Sequence, residues 1–150
     1  MHAEQMAEDY PVVPLDSEAM EAARLFAEHR LPGLVVTDQD GRPKAILPGS
    51  QVVRFLVPQY VQDDPSLARV LGESMADQVA DSLAGKTVGD LISAKGPELA
   101  VVNADDTIVE VAAIMARLHC PLAAVMKDDR LVGVITASRL LELALQPRSS

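Results

Sequence analysis

The sequence predicts an α+β fold: two similar β-α-β-β-α units packed with pseudo-twofold symmetry, plus a helical segment inserted between them. Three observations carry this. Sliding the 150-residue chain by 89 positions aligns two segments without a gap, with identities at Val12/Val101, Val13/Val102, Asp16/Asp105, Ala23/Ala112, Ala27/Ala116, Pro32/Pro121, Val36/Val125, Asp40/Asp129 and Ile46/Ile135. The apolar pattern agrees over the same span, which marks an internal repeat. A unit this small cannot bury its own apolar face, whereas two copies packed together can. An apolar content of 49% suits such a packed chain rather than a disordered one.

Each unit opens on an apolar pair, Val12-Val13 or Val101-Val102, as a short strand. Asp16 or Asp105 follows, placed to cap a helix by accepting backbone N–H bonds. The helix stripe is Ala19, Ala22, Ala23 and Phe26 in the first copy and Ile108, Val111, Ala112, Met115 and Leu118 in the second. That spacing puts each set on one helix face. Each helix stops short of a proline, Pro32 or Pro121, because the residue before proline disfavours helix. The apolar runs Leu34–Thr37 and Leu122–Met126 read as strands. Turns at Asp38–Gly41 and Lys127–Arg130 lead to second strands at Ala45–Leu47 and Leu131–Ile135. A last helix closes each copy, around Gln51–Val57 and Ser138–Leu145.

The expected organisation is repeat 1 over residues 1–57, an inserted helical segment over 58–86, repeat 2 over 87–146 and a flexible tail over 147–150. In the insertion, Asp63-Asp64-Pro65 is a helix start, Leu67, Val70, Leu71, Met75, Val79 and Leu83 form an apolar stripe, and Gly85 is a stop. Thr87–Ile92 reads as a lead-in to repeat 2, with Ala3–Ala7 as its counterpart before repeat 1.

Charge narrows the function classes. Thirteen Lys and Arg against 22 Asp and Glu leave a net charge of −9, which opposes a nucleic-acid partner, whose phosphates attract basic surfaces. Two Tyr, two Phe and no Trp leave little for base stacking. The single cysteine, Cys120, cannot form an internal disulfide, so a reducing cytoplasm is expected. The acidic N-terminus lacks the apolar run of a signal peptide, and no apolar stretch approaches the ~20 residues of a membrane span.

Catalytic and metal chemistry find no constellation. The carboxylate pairs Asp38/Asp40, Asp63/Asp64, Asp105/Asp106 and Asp128/Asp129 all fall at turns or helix starts, where solvation and capping explain them. His2, His29 and His119 lack metal-ligand spacing, so no metal site is expected. Cys120 beside His119 has no orienting third group and reads as a buried structural thiol. No Walker-type loop or Ser-His-Asp arrangement is present.

Taken together, Thr87–Ile92 followed by Val101–Ile108, the helix ending His119-Cys120-Pro121-Leu122, and Leu131-Val132-Gly133-Val134-Ile135-Thr136-Ala137-Ser138-Arg139-Leu140-Leu141 resemble a tandem pair of CBS (cystathionine β-synthase) domains, a Bateman module. The last stretch is similar to the family's "LVGIVTxxDLL" ending. The resemblance implies a regulatory module rather than an enzyme. It implies an adenosyl ligand such as AMP, ATP or S-adenosylmethionine in an inter-repeat cleft, with no cofactor required. It also implies a homodimer acting on a separate protein partner, with neither nucleic acid nor membrane insertion.

In the family, the hydroxyl of a Gly-x-x-Thr element meets phosphate, and an Asp three residues later holds the ribose. Gly133 and Thr136 match in repeat 2, but Arg139 stands at the Asp position. That loses a ribose acceptor and supplies a cation suited to phosphate. In repeat 1 the gap-free alignment puts Lys44, Leu47 and Ser50 at the Gly, Thr and Asp positions, a half-site largely lost, although Gly49-Ser50 at a helix start offers backbone donors to an anion. The ligand-binding set the resemblance implies is Gly133, Thr136, Ser138, Arg139, His119 and Pro121 from repeat 2, with Arg30, Pro32, Gly49 and Ser50 from repeat 1. Against it stands a plainer reading, in which Thr136 ends a strand and Arg139 is a solvated first-turn residue. The loss of both Asp positions favours an alternative function: a ligand-free interaction or scaffold module that dimerises and docks to an enzyme or transporter.

Overall fold

The computed structural model describes residues 1–56, 64, 66, 81–92 and 98–146. Repeat 1 comprises α1 (Ala3–Met6), β1 (Val12–Pro14), α2 (Ala19–His29), β2 (Gly33–Thr37), β3 (Pro43–Pro48) and α3 (Gly49–Leu56). Repeat 2 comprises α4 (Val88–Leu91), β4 (Ala100–Asn103), α5 (Ile108–Leu118), β5 (Leu122–Lys127), β6 (Arg130–Thr136) and α6 (Ala137–Ala144). The fold is α+β, with two three-stranded sheets ordered β1-β2-β3 and β4-β5-β6. In each, the first two strands are parallel and need the helical crossover between them, while the last two form an antiparallel hairpin.

The middle strand carries the core. Every residue of β2 is buried, as are Leu122–Val125 of β5. Leu34 and Val36 pack with Ala19, Ala22 and Val52 of their own repeat, whereas Val35 and Ile46 belong to the core of repeat 2. Alternation along β2 therefore sends one face to the helices of repeat 1 and the other to the second repeat. The sheets meet where β2 approaches β5.

The helices begin later than the Asp residues suggested. The N-cap of α5 is Thr107, whose hydroxyl accepts the amide of Glu110 at 3.3 Å, and the N-cap of α2 is Glu18. Asp106 instead accepts the amide of Asn103 at 2.8 Å, folding the turn that precedes α5. Both helices end as expected, each through a left-handed C-cap, Arg30 at φ 51° and His119 at φ 52°.

Of the insertion, residues 81–83 are helical, Gly85 takes φ 75° and stops them, and Leu83 is buried in the core of repeat 1. The Asp64 carboxylate accepts the Ser66 amide at 3.2 Å. The remaining stripe residues, Leu67, Val70, Leu71, Met75 and Val79, and the tail 147–150 lie outside the described residues.

The two lead-in helices are exchanged between repeats. The Ala3 and Glu4 amides of α1 donate to the Asp106 and Ala104 carbonyls of repeat 2, at 2.8 and 2.9 Å. The Val88 and Gly89 amides of α4 donate in the same way to Ser17 and Leu15 of repeat 1, at 2.8 and 2.9 Å. Each short helix thus satisfies its orphan N-terminal donors on the other repeat's strand-to-helix turn. Met6 and Leu91 are fully buried there, and each contributes roughly 1.5–3 kcal/mol by leaving water. Nothing in the spacing of these short segments announces the exchange.

The gap-free alignment fails at the hairpins. Leu122 pairs with Thr136 and Ala123 with Ile135, but Gly33 pairs with Pro48 and Leu34 with Leu47. Up to the turn the repeats are related by an 89-residue shift; beyond it the shift is 88. In repeat 2 the turn has two residues with positive φ, Asp128 at 52° and Asp129 at 64°, the geometry of a two-residue hairpin. In repeat 1 the loop holds one residue more, with Gly41 at φ 80° as its left-handed member. Asp38 ties that longer loop by accepting the amides of Arg42 at 3.0 Å and Asp40 at 2.9 Å, which hold its carboxyl below the usual carboxylate range. The Ile46/Ile135 identity is therefore not a structural equivalence: Ile46 matches Val134, and Leu47 matches Ile135.

Candidate functional site

The start of α6 gathers four of the expected residues. Thr136 is its N-cap: Oγ1 accepts the Arg139 amide at 3.1 Å and lies 3.1 Å from Ser138 Oγ. The hydroxyl keeps hydrogen-bonding capacity beyond the cap. Gly133 lies on β6, opposite Val125. Its Cα faces the N-terminal segment so closely that an added Cβ would lie 2.8 Å from Ala7 Cβ and 3.1 Å from the Glu8 carbonyl. Glu8 continues the sheet there, exchanging two 3.0 Å backbone bonds with Val134. Glycine at 133 is thus explained first by the crossing strap. Tyr10, two residues on, donates its hydroxyl to the Gly33 carbonyl of β2 at 2.6 Å, so the strap reaches from one repeat to the other.

Arg139 is engaged within the chain. Its Nε lies 3.8 Å from Glu8 Oε1, and Nη1 donates to Glu142 Oε1 at 3.3 Å. The Nε atom is buried and makes no hydrogen bond among the described residues. One cation therefore faces two carboxylates. Glu8 is a residue that sequence reasoning missed, since only the strap's course over β6 brings it to Arg139.

The other repeat 2 residues stand on a different side of α6. His119 and Pro121 line an apolar cavity with Ala112, Met115, Ala137 and Leu140, between α5 and α6. Pro121 is tied to α6 through its carbonyl, which accepts the Ala137 amide at 2.9 Å. Cys120 is buried and donates to the Leu122 carbonyl at 3.0 Å, as a structural thiol would.

In repeat 1 the corrected register changes every assignment. The counterparts of Gly133, Thr136, Ser138 and Arg139 are Ala45, Pro48, Ser50 and Gln51, rather than Lys44, Leu47, Gly49 and Ser50. Lys44 is a bulge residue skipped by the pairing and lies 3.8 Å from Asp38. Leu47 is fully buried in the core. Pro48 has no hydroxyl to cap α3, and Gln51 carries neither charge. Gly49 opens α3 with the Phe26 ring 3.6 Å from where its Cβ would be, so it faces α2. Ser50, Arg30 and Pro32 are exposed. Asp40-Gly41 by itself reads as a two-residue turn, so only the observed pairing of β2 with β3 brings Gln51 to the position of Arg139.

Among the described residues no cluster of His, Cys, Asp and Glu could hold a metal ion, and no helix is long and apolar enough to cross a membrane.

Comparison with solved structures places this geometry. A CBS domain-containing protein of unknown function from Kribbella flavida is 65% identical, with a TM-score of 0.91 over 97% of this chain and 99% of that one. Two more distant structures share the fold. CBSX2 in complex with AMP is 18% identical, with a TM-score of 0.66 over 97% of this chain and 96% of that one. A CBS domain pair in complex with 5′-methylthioadenosine and S-adenosylmethionine is 17% identical, with a TM-score of 0.61 over 96% and 95%. No curated protein sequence matches the chain. The CBS domain family model matches twice, over residues 3–58 and 88–146, spans that each hold one β-α-β-β-α repeat and its lead-in helix. The chain belongs to the CBS domain family, as a tandem pair.

Proposed function

We propose that the chain is a regulatory module that senses a small molecule and acts in trans on a partner protein, not an enzyme. The ligand class is an adenosyl nucleotide or a related phosphate-bearing compound, with AMP, ATP and S-adenosylmethionine as candidates, and it would bind in the inter-repeat cleft. The observation that carries this reading is the cluster at the start of α6, where Gly133, Thr136, Ser138 and Arg139 converge beside the strap. Thr136 would offer its hydroxyl to a phosphate, and Arg139 would offer a charged fork. Repeat 1, with Ala45, Pro48 and Gln51, supports no matching half-site, so one ligand per chain is expected. AMP in one structural relative and S-adenosylmethionine in another support the ligand class.

Regulation would work by population shift: the ligand favours one relative orientation of the repeats, by no more than its differential affinity for that orientation. The module is proposed to be a cytoplasmic homodimer. The open apolar groove between α5 and α6, with Leu141 exposed at its rim, supports a dimer face. A single, buried cysteine suits a reducing compartment.

A second reading has its own support. With Arg139 held by Glu8 and Glu142 and only uncharged Gln51 at the matching position of repeat 1, the chain would serve as a ligand-free scaffold. Thermal unfolding with AMP, ADP, ATP and S-adenosylmethionine separates the two, since a ligand of the folded state raises the melting temperature. A rise with any of them, abolished by Arg139→Ala for the phosphate-bearing ones, is expected. No rise at millimolar concentrations would favour the scaffold.

A further inference from the structure

We infer that Glu8 is a specificity-determining residue of the ligand site proposed at the start of α6, a carboxylate on the strap that competes with a ligand's phosphate for Arg139. The inference rests on ligand binding at this helix start, as proposed above. The resemblance alone casts Arg139 as a free cation awaiting an anion. The structure assigns it two carboxylates, Glu8 at 3.8 Å and Glu142 at 3.3 Å, so the group of three carries net negative charge. An incoming phosphate would add charge of the same sign unless a carboxylate leaves.

Glu8 is the one built to leave. Its backbone is held by the paired bonds to Val134, and its side chain is half exposed, at 54%, so withdrawal is a rotamer change that leaves the strap in place. The Nε of Arg139 is buried and makes no hydrogen bond among the described residues, and Glu8 stands beyond hydrogen-bond reach of it. A phosphate oxygen that came closer would accept the hydrogen bond that Nε does not make to Glu8. Glu142 shares the helix of Arg139 at i+3 and can stay paired through Nη1. Glu8 thereby handicaps nucleotides while leaving an uncharged nucleoside unaffected.

The test is isothermal titration of AMP and of adenosine into the full chain and into Glu8→Gln, a substitution that keeps size and removes charge. AMP is expected to bind Glu8→Gln about two- to fivefold more tightly than the unaltered chain, the range of one partly exposed ion pair. Adenosine affinity should be unchanged. In an Arg139→Gln background the Glu8→Gln gain for AMP should vanish, with melting curves showing that each variant folds. Equal AMP affinities in the two proteins, or tightening of adenosine and AMP alike, overturn the role of Glu8 alone. Binding of neither ligand to either protein overturns the underlying reading as well.

Discussion

The two repeats share a fold, but their hairpin turns differ by one residue and their closing helices start on different side chains. Repeat 2 closes its hairpin with Asp128-Asp129, both left-handed; repeat 1 adds a residue and uses Gly41. The strands after the turns then run in registers one residue apart relative to the sequence alignment. Repeat 2 presents a capping threonine and an arginine at its helix start, and repeat 1 presents a proline and a glutamine. A slip of one residue exchanges the faces of a strand. Here Leu47 is core rather than cleft, and the two helix starts differ through Ala45, Pro48 and Gln51 where repeat 2 has Gly133, Thr136 and Arg139.

The largest test of the comparison is in the two cores. Leu47→Ala and Ile135→Ala remove matched, fully buried side chains, and each should cost roughly 2–5 kcal/mol in urea unfolding. Because Val35 and Ile46 of repeat 1 lie in the core of repeat 2, each variant should shift one common transition. Two separate transitions would break the picture of a shared core.

Gly133→Ala comes next. Its Cβ would meet Ala7 and the Glu8 carbonyl, so a loss of about 1–3 kcal/mol is expected. The matching Ala45 already carries a Cβ. If Gly133→Ala unfolds at the same denaturant concentration as the unaltered chain, the strap does not demand glycine.

The hairpins themselves should respond in opposite directions. Gly41→Ala meets no atoms within 4 Å but keeps φ 80°, so strain alone should cost about 1 kcal/mol. Asp129→Gly relieves a left-handed non-glycine and should gain a few tenths of a kcal/mol, read as a raised melting temperature.

The last test concerns the strap where it meets repeat 1. Burial pushes the Tyr10 hydroxyl up to about 12 from 10.0, so its neutral form is favoured in the folded chain. Its contribution should be complete below pH 10 and fall away as pH rises toward 12. Tyr10→Phe should lose about 1 kcal/mol at neutral pH with the Gly33 hydrogen bond, and should flatten that alkaline decline in melting temperature.

The sequence by itself determined the elements, the duplication and the family. Apolar periodicity on Ala19–Phe26 and Ile108–Leu118, the prolines that stop both helices, and the all-apolar runs of β2 and β5 are local signals of burial and backbone preference. It also placed Thr136, Ser138 and Arg139 together, because a strand end and a helix start are contiguous in the chain. Only the tertiary structure decided three things. Strand pairing across the hairpin, not identity along the chain, settled the register that makes Gln51 the repeat 1 counterpart of Arg139. Orphan amides of α1 and α4 found carbonyls on the opposite repeat, an exchange no local pattern encodes. And the path of the strap over Gly133 carried Glu8 to Arg139, converting an apparent free cation into one already paired, because electrostatic neighbours are fixed by distance in space and not by distance in sequence.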